Sequence, residues 1–369
     1  MRAIALVPGS TLIHLIDRPE PAISSPDQIK VRVVGVGVCG TDREETAGGR
    51  AKAPGEQKEL VIGHEMLGSV VEVGSSVTRV KPGDLAVFTV RRGCGKCVPC
   101  SINRADMCRT GEFRERGIWG ADGYNAEYVV DSEQYGVRVP QTLRSLGVLT
   151  EPTSVVEKAI DEAVRLQVSR LPDAPATPDW LFGRRCLIAG LGPVGLLGAM
   201  VLRLRGAEVF GLDIVDESSA RPQWLHSIGG EYVDGRKIPA DKVDDMLGPM
   251  DVILEAAGIA SLDFSLLDAL ATDGVFVLTG IPGGDRPLQI SGATLMRKLV
   301  LQNQVVVGSV NAARDHFQMA VDDLTSASLK WPGHVEKLIT HVYPYIDYAK
   351  ALGHHPPDEI KAVIEWATV

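Results

Sequence analysis

Four of the six cysteines fall between Cys94 and Cys108, in "CGKCVPCSINRADMC". Their spacing, C-x2-C-x2-C-x7-C, lets Cys94, Cys97, Cys100 and Cys108 close a tetrahedron of thiolates around Zn2+. Iron–sulfur ligation is the competing chemistry. Two-cluster ferredoxins place the next cysteine after three residues and before proline, whereas seven residues intervene here and Arg109 follows. A four-sulfur site has no open coordination position, so its expected job is to hold a loop together. A second set of donors is scattered: Cys39 in "VGVCGTDREE", His64 and Glu65 in "LVIGHEMLGSVVEVG", and Glu151 in "EPTSVVEKA". A thiolate, an imidazole and a carboxylate suit a catalytic Zn2+ that keeps one position for water or substrate. Spacing alone does not bring them together, and a lone Cys or His is commonly a core residue.

The third pattern is Gly190-Leu191-Gly192-Pro193-Val194-Gly195. The strand-like "CLIAG" precedes it, the helical "VGLLGAMVLRLRG" overlaps and follows it, and "AEVFGLDI" then delivers Asp213 eighteen residues after Gly195. Strand, G-x-G-x-x-G, helix, strand and acid in that order form a dinucleotide fingerprint. The glycines permit a tight turn and close approach of a pyrophosphate to the helix N-terminus, and the acid binds ribose hydroxyls.

The elements that must position these residues change character along the chain. Up to about residue 150, short β-branched runs such as "IKVRVVGVGVCG" and "AEYVVDSEQYGVRVP" alternate with turns, among them Lys81-Pro82-Gly83-Asp84. This half reads as an irregular antiparallel β barrel. From Glu151 the apolar spacing turns helical, and after the Pro-rich "SRLPDAPATPDWLFG" apolar strands and helices alternate, which implies a parallel sheet covered on both faces. The tail after "NQVVVGSVNAARDHF" is mixed and ends in the strand-like "IKAVIEWATV".

With 369 residues, 45% hydrophobic and 23% charged, the chain has room for two domains. A net charge of -9 favours neither a nucleic-acid nor an anionic-membrane partner. The N-terminus lacks an export signal and no apolar run is long enough to span a bilayer. The expected compartment is the reducing cytoplasm, where clustered thiols more often hold metal than form disulfides.

Taken together, "GVCGTD", "GHEMLGSVVEVGSSVTRVKPGD", the four-cysteine lobe and "GLGPVG" resemble the zinc-dependent medium-chain dehydrogenase/reductase superfamily, the alcohol-dehydrogenase-like enzymes. Within it, "CGTDREE", "RRGCGKC", "CRTGEFRERGI", "LTEPTSVVEKA", "VVGSVNAARDHF" and the closing strand are similar to archaeal-type glucose (aldose) 1-dehydrogenases. The resemblance implies a GroES-like β-barrel catalytic domain over residues 1–152, with the zinc lobe at about 92–116. It also implies an α/β Rossmann domain, a doubly wound parallel sheet, over 153–307, and a segment 308–369 that returns to the catalytic domain. Catalytic zinc would be held by Cys39, His64 and either Glu65 or Glu151, with the carboxylate ligand shifting during turnover. Thr41, Glu115, Glu151 and Asn311 would contact sugar or nicotinamide. Thr279, Gly280, Ile281, Ser309, Val310, Asn311 and Lys361 would join the fingerprint loop and Asp213 in holding the dinucleotide.

The activity so implied is hydride transfer from C1 of a pyranose to NAD+, giving a lactone, in a homo-oligomer (dimer or tetramer). Thr41 or a zinc-bound water would pass the proton outward, with Glu65 as base. A polyol or alcohol dehydrogenase is the second reading. A non-catalytic nucleotide-binding redox sensor is the third, and the intact Cys39, His64 and Glu65 oppose it. One departure concerns the pocket: Val90, in "FTVRRG", stands where the resembling enzymes often present an Asn. The lost hydrogen bond is worth about 0.5–1.5 kcal/mol, so sugar preference is expected to be broad. NAD+ is expected over NADP+, because a 2'-phosphate would face Asp213 and the following Ile214, Val215 and Asp216 supply no cation. The NADP+-using relatives typically carry Asn-Arg-Arg there, and Arg221 is the nearest basic residue downstream.

Overall fold

The strand Gln28–Val38 is the axis of the first half of the molecule. Ile29, Val31 and Val33 are buried while Lys30 and Arg32 point outward, the alternation expected of a strand with one covered face. Its last residues, Val36 to Val38, are buried on both sides as the chain approaches Cys39. A computed structural model describes residues 1–174, 178–283 and 287–367.

Contacts divide these residues into two units: Met1–Ser154 with Asn311–Leu329 and Val335–Val369, and Val155–Val310 with Lys330–His334. In the first, Gln28–Val38 pairs antiparallel with Glu65–Val73, Tyr128–Ser132 and Lys361–Glu365, inside a seven-stranded sheet that also takes in Leu85–Phe88, Gly136–Val139 and Ile339–Pro344. Two three-stranded sheets complete the β structure of this unit. The Lys81–Asp84 turn closes with Asp84 N–H on Lys81 O at 3.0 Å and Gly83 at φ +93°. It reverses the chain between Glu65–Val73 and Leu85–Phe88. The core gathers Ile4, Leu6, Ile29, Val36, Met66, Phe88 and Tyr124 with Ala362 and Ile364 from the last strand and Trp366 just beyond it.

In the second unit six parallel strands lie in the order Glu231–Asp234, Glu208–Asp213, Arg185–Ala189, Met250–Glu255, Leu270–Leu278 and Val305–Gly308. The central strands are almost continuously buried, as strands covered on both faces must be. The order reverses at Arg185–Ala189, and ligands of such sheets bind beyond the carboxyl ends of the strands at that point.

Candidate functional site

Cys94, Cys97, Cys100 and Cys108 bring their sulfurs within 4.8 Å of one another, and none of them is in a disulfide. The loop that gathers them depends on left-handed backbone at Gly95 (φ +73°) and Asn103 (φ +61°) and on a single turn, Val98–Ser101, opened by Pro99. A Cβ at Gly93 would overlap the Cys100 sulfur. The hydroxyl of Thr110, with the amide of Lys96, draws the Cys94 thiol down to about 6, while burial pushes Cys100 up to about 12. Four sulfurs at this separation fit one tetrahedral zinc, whose charge would deprotonate the whole set.

Cys39, His64 and Glu65 likewise place their ligand atoms within 4.8 Å of one another. Cys39 caps the helix Gly40–Thr46, and its amide donates to Asp42 Oδ2 at 2.8 Å. The other oxygen of Asp42 lies 3.5 Å from His64 Nδ1, the carboxylate–imidazole arrangement that orients a metal-binding ring. Burial opposes charge on His64, yet the Asp42 carboxylate outweighs it and holds the ring's pKa well above its ordinary value. Glycines make room: a Cβ at Gly63 would overlap the Asn125 side chain, and one at Gly37 would overlap the Glu65 carboxylate. A sulfur, an imidazole and a carboxylate, all oriented and largely buried, fit a zinc ion with room for a further ligand.

Glu65 and Glu151 differ. Lys361, named above for the dinucleotide, sets its buried ammonium against Glu65 Oε2. Glu151 is buried but stands outside the 4.8 Å group. Burial pushes its carboxyl up to about 7; His64 works against that shift and the charge of Glu65 adds to it.

Thr41 is half-buried in the first turn after Cys39. Glu115 is not a solvated loop charge. Its Oε1 accepts from Arg91 Nη2 at 2.8 Å and from Asn311 Nδ2 at 2.6 Å, and Arg50 pairs with Oε2. Asn311 holds this contact from left-handed backbone at φ +63°. Val90 is buried, with its carbonyl accepting the Arg116 amide at 3.0 Å. Asp42, Arg50 and Arg91 were not singled out from the sequence; an Asp three residues after a helix-capping cysteine was the one available signal.

In the second unit, Gly190 turns at φ +92° and Gly192 caps the helix Pro193–Leu204, with Pro193 at its first position. Leu191 and Val194 lie in this same turn, and a Cβ at Gly195 would overlap the Gly190 carbonyl. Asp213 accepts the Leu191 amide at 2.8 Å, tying the strand end to the loop, and an Arg221 nitrogen lies 3.9 Å from the same carboxylate. Thr279 donates its amide and hydroxyl to the Glu255 carbonyl, and the Gly280 amide reaches the Glu255 side chain. Ile281 is exposed, Ser309 is buried, and the Val310 carbonyl accepts Lys158 Nζ at 2.8 Å.

Comparison with known proteins agrees with this geometry. Residues 25–141 match the alcohol dehydrogenase GroES-like domain, and residues 144–366 match the glucose dehydrogenase C-terminus. The chain is 38% identical over 371 residues to glucose 1-dehydrogenase of Thermoproteus tenax, covering 100% of both chains. It is 37% identical over 344 residues to that of Methanocella arvoryzae, covering 92% of each. The structure of Haloferax mediterranei glucose dehydrogenase in complex with NADP, Zn and gluconolactone superposes with a TM-score of 0.89 at 34% identity, covering 100% of both chains. The chain therefore belongs to the glucose 1-dehydrogenase family, zinc-dependent medium-chain dehydrogenases built from a GroES-like domain and a Rossmann domain.

Proposed function

We propose that this protein is a zinc-dependent aldose 1-dehydrogenase that oxidises C1 of glucose or a related pyranose to the lactone. The observation that carries this reading is the approach of Cys39, His64 and Glu65 within 4.8 Å, backed by Asp42. The Haloferax relative's complex with Zn, NADP and gluconolactone supports it. Zinc held there supplies a Lewis acid that acidifies the anomeric hydroxyl, and the dinucleotide supplies the hydride acceptor. The chain's own residues do the rest. Asp42 fixes the His64 ring, Lys361 holds the Glu65 side chain in place by pairing with its Oε2, and Thr41 Oγ1 passes the hydroxyl proton outward.

The preferred acceptor is NAD+. Around the strand end at Asp213, four carboxylates (Asp213, Asp216, Glu217 and Asp234) outnumber the permanent cations Arg221, Arg236 and Lys237. Arg236 is engaged by Asp234 and Asp216, each at 2.8 Å, so its charge is already answered before a 2'-phosphate arrives. The protein works as a homo-oligomer in the cytoplasm. The edge strand Val305–Gly308 and the helix Gly292–Leu301 offer exposed Val306, Met296, Val300 and Leu301 to a second copy. No helix among the described residues is long and apolar enough to cross a membrane.

Initial rates for zinc-loaded protein with aldoses, polyols and simple alcohols, each with NAD+ and NADP+, test this reading. Aldoses with NAD+ are expected to give the highest kcat/KM. A polyol exceeding every aldose would overturn the sugar assignment, and a higher kcat/KM with NADP+ would overturn the cofactor preference.

A further inference from the structure

Glu255 ends the strand Met250–Glu255 as a fully buried carboxylate. Its Oε1 accepts the amides of Ala257 at 2.6 Å and Gly258 at 2.5 Å, and its Oε2 accepts the amide of Gly280 at 3.0 Å. Its backbone carbonyl takes the Thr279 amide at 3.1 Å and the Thr279 hydroxyl at 2.5 Å. The loops after two neighbouring strands are thereby locked to one residue. They also touch: a Cβ on Gly280 would overlap the Gly258 amide and lie 2.7 Å from Glu255 Oε2. The fingerprint loop rests on the same hub, since a Cβ on Gly190 would lie 3.0 Å from Ala257.

Position in the sheet says which part of a dinucleotide this hub serves. The strand ending at Asp213 lies on one side of Arg185–Ala189 and takes the adenosine ribose. Met250–Glu255 and Leu270–Leu278 lie on the other side, beneath the second mononucleotide half, which carries the nicotinamide.

The three donors to Glu255 are uncharged amides, so its charge is satisfied by hydrogen bonds and met by no cation among them. Burying a carboxylate in this way is costly unless another charge answers it. Its field reaches a neighbour: Asp263 is pushed up to about 7, by burial first and then by Glu255.

We propose that Glu255 is a positioning residue for the nicotinamide half of the dinucleotide, and that its fixed negative charge favours the oxidised, cationic ring over the reduced, neutral one. Accepting a hydride removes the ring's positive charge, so a carboxylate held nearby stabilises the two redox forms unequally. The proposal rests on the reading of residues 190–195 as a dinucleotide loop.

Dissociation constants for NAD+ and NADH, measured by calorimetry on wild type, Glu255→Gln and Glu255→Asp, test it without turnover. Glu255→Gln should raise the Kd of NAD+ on the order of tenfold more than that of NADH. Glu255→Asp keeps the charge but shortens the clamp, so both constants should rise together and their ratio should hold. Equal shifts for both forms in Glu255→Gln would overturn the electrostatic role. Should Glu255→Gln not fold, amide hydrogen exchange of the ligand-free wild type decides the clamp. Slow exchange at Ala257, Gly258 and Gly280 is expected, and fast exchange overturns it. Wild type that binds neither nucleotide would instead overturn the dinucleotide reading beneath the proposal.

Discussion

The two donor clusters of the first unit are built on opposite plans. The four cysteines lie within fifteen residues, half-exposed, on a loop shaped by Gly95, Pro99 and Asn103. Cys39 follows the end of one strand and the consecutive His64 and Glu65 open another, and this buried pair is held by Asp42 and Lys361. The cysteine lobe spends its donors on closure. The mixed cluster spends side chains on orienting its donors, which is what chemistry at an open metal position requires. A site that only holds structure can be local; a site that reacts needs partners that only the whole sheet can bring.

The sharpest way to break this contrast is at the ligands. Cys39→Ser and His64→Ala should each lower kcat/KM by about a thousandfold or more, roughly 4 kcal/mol of barrier, while circular dichroism and Tm change little. Elemental analysis should find two zinc ions per wild-type chain and one in each variant. A single zinc in wild type, lost with Cys39, would remove the cysteine lobe from the comparison.

Next in size is the pairing behind the mixed cluster. Lys361→Met leaves Glu65 buried without its cation, a loss of about 3–5 kcal/mol when no other charge answers it. Denaturant midpoints should show that loss in zinc-stripped protein and much less of it in zinc-loaded protein. Equal losses in both states would mean that Glu65 does not share its charge with the metal.

Cys97→Ser should cost stability instead, ~2–3 kcal/mol of the larger binding energy a structural zinc contributes. The folded fraction should keep wild-type kcat. Loss of kcat at unchanged Tm would make the lobe part of the chemistry.

The smallest effect belongs to the pocket. Val90→Asn should improve discrimination between glucose and its epimers by about two- to tenfold, the worth of one hydrogen bond. A wild type that already separates them a thousandfold would show that Val90 is not what sets breadth.

How much of this was legible in advance follows from how local each feature is. The cysteine spacing, the fingerprint glycines and the Lys81–Asp84 turn are written in consecutive residues, so their chemistry could be read without a fold. The alternation of strands in the second unit was legible because buried parallel strands leave continuous apolar runs such as "CLIAG" and "DVILEAAG". The partners of Glu115 were not. Arg50 and Asn311 stand 65 and 196 residues away, and no local pattern reports a contact set by sheet register. Lys361 shows the same limit: its pairing with Glu65 follows from the docking of Lys361–Glu365 on Gln28–Val38, which no local pattern reports. Arg221 reached Asp213 through a bend that its distance along the chain did not disclose.

That last strand also has a consequence in time. Glu65 leaves the ribosome 296 residues ahead of Lys361, an interval of about 15–60 s at ordinary rates of synthesis. Throughout it Cys39, His64 and Glu65 are already made, and the central sheet has a free edge where Lys361–Glu365 will later dock. Metal captured in that window would meet Glu65 before its ammonium partner exists, so zinc supply during translation, and not only afterwards, bears on which charge Glu65 answers first.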